Sequence, residues 1–146
     1  MRGKIYKYET IAKIIESHPD KQLILLGDDS GHDHYIYAQL SENYPGRIIA
    51  IYIRPVKYKE TSVQIKKYFS AFDIALHEYN AQRLSEKEAI NIANRIIICK
   101  RNKLILPRYI KIRSDQSINH VKIQSKNLLA KKITIFEMMQ KIEESR

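Results

Sequence analysis

The chain has 146 residues, a net charge of +10, 44% hydrophobic content and only four glycines and four prolines. That is enough for one domain with a real core and too little for two ordinary ones, and it excludes wholesale disorder, collagen-like repeats and low-complexity sequence. The single cysteine, Cys99, excludes an internal disulfide framework and, beside Ile96-Ile97-Ile98, reads as a core thiol in a reducing compartment.

Ile5 to Glu16 carries Tyr8, Ile11, Ala12, Ile14 and Ile15 at helical spacings, which predicts an amphipathic helix ended by Pro19-Asp20. Leu23 to Leu26 is a short apolar run bounded by glycine and reads as a buried strand, followed by an acidic loop from Gly27 to Asp33. A second helix is expected over Asp33 to Asn43, with Asp33 as a candidate cap and Tyr37, Leu40 and Tyr44 on one face. Pro45-Gly46 then turns the chain into Arg47 to Ile53, apolar on both faces as parallel strands between helix layers are. Residues 56 to 70 read as loop and a short basic helix, and Phe72 to Tyr79 as a third strand. Ser85-Glu-Lys-Glu88 is a capping box opening a helix through Ile97, with Ala89, Ile92, Ala93 and Ile96 inward. Lys103 to Ile112 and His120 to Gln124 read as short strands about a turn at Ser114 to Asn119. Thr134-Ile-Phe-Glu137 reads as a second capping box, opening a final helix of Ile135, Phe136, Met138, Met139 and Ile142. Helix–strand–helix–strand alternation predicts an α/β fold with a partial parallel sheet, flanking helices and an appended basic C-terminal segment.

The charge is unevenly placed. Residues 1–99 carry 14 Lys/Arg against 12 Asp/Glu, whereas residues 100–146 carry 12 against 4. A basic end of this kind suits a solvated face, an anionic membrane surface or nucleic acid, the last being the least favoured partner. The N-terminal residues have no apolar signal core and no run reaches membrane-spanning length, so the sequence reads as cytoplasmic, with a peripheral membrane location as the alternative.

The chemistry concentrates in the loop after the first strand, where Asp28, Asp29 and Asp33 fall within six positions. Open α/β sheets bind ligands beyond the carboxyl ends of their strands, and hard oxygen donors there suit Mg²⁺. Read without further context, Asp33 is a helix cap, Lys7 a solvated lysine, and His32 and His34 a weak suggestion of a zinc pair. No Asp-x-Asp motif precedes this segment.

Lys7, the run Gly27-Asp-Asp-Ser-Gly-His-Asp-His-Tyr-Ile-Tyr37 and the run Tyr44-Pro-Gly-Arg-Ile-Ile-Ala-Ile-Tyr-Ile-Arg54 together resemble the catalytic domain of the actin-patch-associated phosphatidate phosphatases, haloacid-dehalogenase-like (HAD) phosphohydrolases. The family shows a His-Lys pair, a strand ending in Gly-Asp-Ser-Gly-x-x-Asp-Pro-Glu-Ile-Tyr, then Phe-Pro-Gly-Arg and an Ala-Ile-Tyr-Ile-Arg strand. The resemblance covers residues 5 to 56, with Tyr6 in place of the His, Asp29 in place of the Ser, and His34-Tyr35 in place of Pro-Glu. It implies a HAD/Rossmann-like half-domain over 1–99, with a basic extension over 100–146 packed on it. It also implies Lys7 as the phosphate lysine, Asp28 and Asp33 as Mg²⁺ carboxylates with Asp29 a third acid beside them, and phosphatidate or another phosphorylated compound as substrate. In that family an Asp pair on the preceding strand supplies the nucleophile and the acid/base; the matching part would lie before Met1, so the expected activity of this chain alone is at most a trace. Without that strand, Leu23 to Leu26 would form a sheet edge, which predicts self-association, a partner polypeptide bringing the missing half, or a strand donated by the basic C-terminal third.

Overall fold

The structure, a computed structural model, describes residues 2–57, 64–112 and 122–146 and divides into two compact units, Met1–Lys67 and Tyr68–Arg146. In the first, helix α1 (Arg2–Ser17), strand β1 (Leu23–Asp28), helix α2 (Asp33–Asn43), strand β2 (Ile48–Arg54) and strand β3 (Ile65–Lys67) follow one another. The three strands are parallel in the order β1-β2-β3, with Leu25 opposite Ile51, Asp28 opposite Arg54 and Ile53 opposite Lys67. The fold class is therefore α/β, with helices α1 and α2 beside a partial parallel sheet.

One face of this sheet makes the core. Leu25, Ile51, Ile53 and Ile65 pack with Ala12 and Ile15 of α1 and with Ile36, Tyr37 and Leu40 of α2, all buried. Ala50 and Tyr52, on the opposite face of β2, are buried too, which is why the strand reads as a continuous apolar run. β1 alternates instead: Leu25 is buried, while Ile24 and Leu26 are 38% and 49% exposed. Gly46 turns the chain at φ +76°, a conformation that favours glycine. Arg47 follows, and its guanidinium donates to the carbonyls of Ile15, His18 and Lys21. It thus satisfies acceptors that the end of α1 leaves open, and fixes the segment leading into β1.

The third strand is β3 and not residues 72–79, and the 56–70 stretch expected as loop and helix contributes it where it is described. Residues 71–80 are a helix instead. In the second unit, α3 (Ala71–Asn80), α4 (Glu86–Ile97), α5 (Asn102–Ile105) and α6 (Lys126–Glu144) bury Phe72, Leu76, Ala89, Ala93, Leu128, Ile135 and Met139. Phe72, Ala75 and Leu76 are buried at spacings of three and four, and the Asp73 carboxylate accepts the amides of Phe69 at 2.9 Å and Ser70 at 2.8 Å. A period-2 reading of that segment loses to this cap. The Ser85 capping box forms as expected: Ser85 N–H donates to Glu88 Oε2 at 2.8 Å and Glu88 N–H to Ser85 Oγ at 3.3 Å.

The final helix forms as expected but starts earlier, and other C-terminal expectations give way to particular contacts. Residues 103–112 are not a strand: Pro107 has no amide to give to a ladder. The Arg146 guanidinium meanwhile bonds the carbonyls of Leu106, Arg108 and Ile110 that a ladder would need. Lys122 to Gln124 have no regular structure, whereas the turn at 114–119 and residues 120–121 lie outside the described residues. The last helix starts at Ser125, whose Oγ accepts from Leu128 N at 3.3 Å, well before Thr134. Thr134 sits inside the helix and bonds the Ala130 carbonyl at 3.1 Å. Lys132 is buried on the apolar side of α6 because its ammonium meets the Asp73 carboxylate, a fully buried ion pair. Among the described residues no strand from 100–146 joins the sheet, so β1 stands at its edge. No helix among them is long and apolar enough to cross a membrane.

Candidate functional site

The site begins at the carboxyl end of β1. Gly27, on the same face as Leu25, lies against the start of α2 so closely that a Cβ there would meet Asp33 Oδ2 at 2.5 Å and Tyr37 Cε2 at 2.9 Å. The glycine lets α2 approach and bring Asp33 onto the strand end. Tyr37 secures the approach, its hydroxyl donating to the Leu26 carbonyl at 3.0 Å.

Lys7, 26 residues away in sequence, comes to the same place: its Nζ is 2.6 Å from Asp33 Oδ1 and 5.5 Å from the centre of the Tyr37 ring. The side chains are 41% and 18% exposed, so the pair sits in a partly desolvated position at the surface. Burial alone would lower the pKa of Lys7. The hydrogen bond to Asp33 and the charges of Tyr37 and Asp33 outweigh it, holding the ammonium above its usual 10.5. Asp33 is the first residue of α2 and favours its N-terminal dipole, but the cap position belongs to His32, which makes no side-chain cap bond.

The other two carboxylates behave differently. Asp28 Oδ1 accepts from the Ser30 amide at 2.8 Å and from the Ser30 hydroxyl, a local turn that leaves the group half-buried at the strand end. Asp29 is 1% exposed, and its Oδ1 accepts the amides of Val56 at 2.6 Å and Lys57 at 2.7 Å. That oxygen ties the loop after β1 to the loop after β2, so Asp29 differs in surroundings from Asp28 and Asp33. Among the described residues no group of three or more His, Cys, Asp or Glu side chains gathers as a metal cage. Mg²⁺ does not need one, since it binds through one or two carboxylates and keeps several waters. Asp33 and Asp28 each offer hard carboxylate oxygens, with Asp33 Oδ1 paired to Lys7 and Asp28 Oδ1 to Ser30. Sequence reasoning used Arg54 as the end of a strand and of the family-like run but gave it no role; in the sheet it stands in register with Asp28, adding a cation to the same end.

Comparison with known proteins bears on this segment. Residues 1–55 match the family described as phosphatidate phosphatase APP1, catalytic domain. The N-terminal segment is thus similar to that catalytic domain. A 48-residue stretch, 33% of the chain, is 42% identical to phosphatidate phosphatase APP1 of Saccharomyces cerevisiae and spans 8% of that protein's length. No solved structure matches the chain. The matched segment ends at Pro55, one residue past β2, and so contains α1, β1, α2 and β2 with Lys7 and all three acids.

Proposed function

We propose that the phosphatidate-phosphatase-like segment is a phosphoryl-binding site that holds Mg²⁺ through Asp28 and Asp33 and the phosphoryl oxygens through Lys7. The observation that carries this reading is the 2.6 Å contact between Lys7 and Asp33 at the strand end. A lysine so placed is a compact charge suited to a dianionic phosphoryl group. Its raised pKa keeps it protonated at any physiological pH. Asp29 serves the site by holding the two strand-end loops together. When bound, the metal would supply charge neutralisation and a template for the phosphoryl oxygens.

In this reading the chain positions and stabilises but does not itself attack phosphorus. Residues 1–146 contain no Asp-x-Asp pair, and Lys7, Asp28 and Asp33 offer no activated nucleophile. Covalent catalysis would need a nucleophile from outside residues 1–146, and the β1 edge is where a strand bringing it would add. Assays of the purified chain with phosphatidate and with an aryl phosphate, with and without Mg²⁺, test this. The expected result is binding with at most trace turnover; Mg²⁺-dependent turnover abolished by Asp28→Asn would show that the chain carries its own nucleophile.

A further inference from the structure

The second unit carries a surface that the phosphoryl site does not use. From Ile98 to Ile112 the sequence has five Lys/Arg and no Asp or Glu. Lys100, Arg101, Lys103 and Arg108 line one broad open depression, all of them exposed. Leu104 and Tyr109 line it too and are 63% and 62% exposed. Single exposed apolar residues need no explanation. Here, though, an aliphatic and an aromatic side chain are exposed among four cations, and their backbone is held in place. Ile105, Leu106 and Ile110 are buried beneath them, and Arg146 bonds the carbonyls of Leu106, Arg108 and Ile110. The segment is thus anchored by one set of apolar residues while another points outward.

We infer that this face docks on an anionic phospholipid bilayer, with Leu104 and Tyr109 inserting at the headgroup level and the four cations meeting the lipid phosphates. Charge complementarity favours that partner, because basic residues next to a negatively charged leaflet each add to the attraction and tyrosine prefers the membrane–water interface. The exposed Leu104 favours it over nucleic acid: an aliphatic side chain gains from acyl chains, whereas the phosphate backbone rewards charge alone. The inference is independent of the phosphoryl site, since the two lie in different units.

The test is co-sedimentation of the full chain with vesicles of phosphatidylcholine alone and of phosphatidylcholine with roughly a third phosphatidylserine. Binding should be at least about tenfold tighter to the anionic vesicles and should fall steeply as salt is raised past the Debye-screening range. The double variant Leu104→Ser/Tyr109→Ser, which changes no charge, should weaken that binding about tenfold or more while leaving the circular dichroism spectrum unchanged. The triple variant Lys100→Gln/Arg101→Gln/Lys103→Gln should remove the preference for anionic lipid. Equal binding to neutral and anionic vesicles would overturn the inference. So would binding to the Leu104/Tyr109 variant at full strength, or tighter binding to a random-sequence RNA of the same charge density.

Discussion

Replacing Gly27 by alanine probes the closest approach in the structure. The new Cβ would stand 2.5 Å from Asp33 Oδ2, 2.8 Å from Asp33 Cβ and 2.9 Å from Tyr37 Cε2. Rotating the Asp33 carboxylate relieves only the first contact. The second belongs to an atom fixed to the α2 backbone, and the third to a ring that is 4% exposed, so the start of α2 must move. Overpacking of this kind costs about 1–3 kcal/mol, and the smaller entropy of unfolded alanine returns about 0.4–1 kcal/mol. The net expectation is a loss of roughly 1–2 kcal/mol, worth about 4–8 °C per kcal/mol if a unit of this size melts by itself. Urea and thermal unfolding followed by circular dichroism would read it, with Gly31→Ala as control because a Cβ at Gly31 meets nothing within 4 Å. If Gly27→Ala proved as stable as Gly31→Ala, α2 would not lie against β1 as described and the geometry around Lys7 and Asp33 would fall with it.

Other outcomes follow from single interactions. Lys132→Met should cost about 3–5 kcal/mol by stranding the buried Asp73 carboxylate, against little change for the exposed Lys126→Met; equal denaturation midpoints would remove the buried pair from the account. Because the folded-state pKa of Lys7 lies above its ordinary 10.5, its contribution is full below about pH 10.5 and disappears as pH rises through the raised value. Wild type and Lys7→Gln should therefore converge in stability only in that alkaline range, as measured by urea midpoints across pH. Glu88 is the opposite case: the Ser85 amide first, and then its hydroxyl, hold the carboxyl below its ordinary 4.5. Its capping contribution is present above about pH 4.5 and lost as pH falls through the lowered value. An acid titration should flatten in Glu88→Gln, and an unchanged acid limb would argue against the capping box.

The segment from α1 to β2 was legible because every local signal agreed: helical spacing, a glycine-bounded apolar run, Pro45-Gly46, and a strand apolar on both faces. Past residue 55 the Ser85 capping box still announced α4, but elsewhere local signals were misleading or decided by long-range partners. Residues 71–80 carry Phe72, Ala75, Leu76 and Tyr79 at helical spacing behind the Ser70–Asp73 capping pair, a local signal that the strand reading passed over. Ser125 begins α6 although Lys126, Lys131 and Lys132 look like surface; the burial of Lys132 depends on Asp73, 59 positions away. β3 is three residues long and is paired only through Ile51 to Ile53, so nothing local distinguishes it. At the site, the family motif brought Lys7, Asp28 and Asp33 into one set, and the fold joins Lys7 to Asp33. The attachment of Asp29 to the amides of Val56 and Lys57 had no sequence signal, because it is made to backbone groups that any residues would present.

The central claim is that Lys7, Asp28 and Asp33 act together on Mg²⁺ and a phosphoryl group. The most direct measurement is an amide chemical-shift titration of the full chain with Mg²⁺ and inorganic phosphate, alone and together. Shifts should concentrate in Gly27 to Asp33 and at Lys7, with each ligand tightening the other, and should vanish for Mg²⁺ in Asp28→Asn and weaken for phosphate in Lys7→Gln. Saturable shifts elsewhere in the chain, or no response at Gly27 to Asp33 at millimolar Mg²⁺, would contradict the assignment.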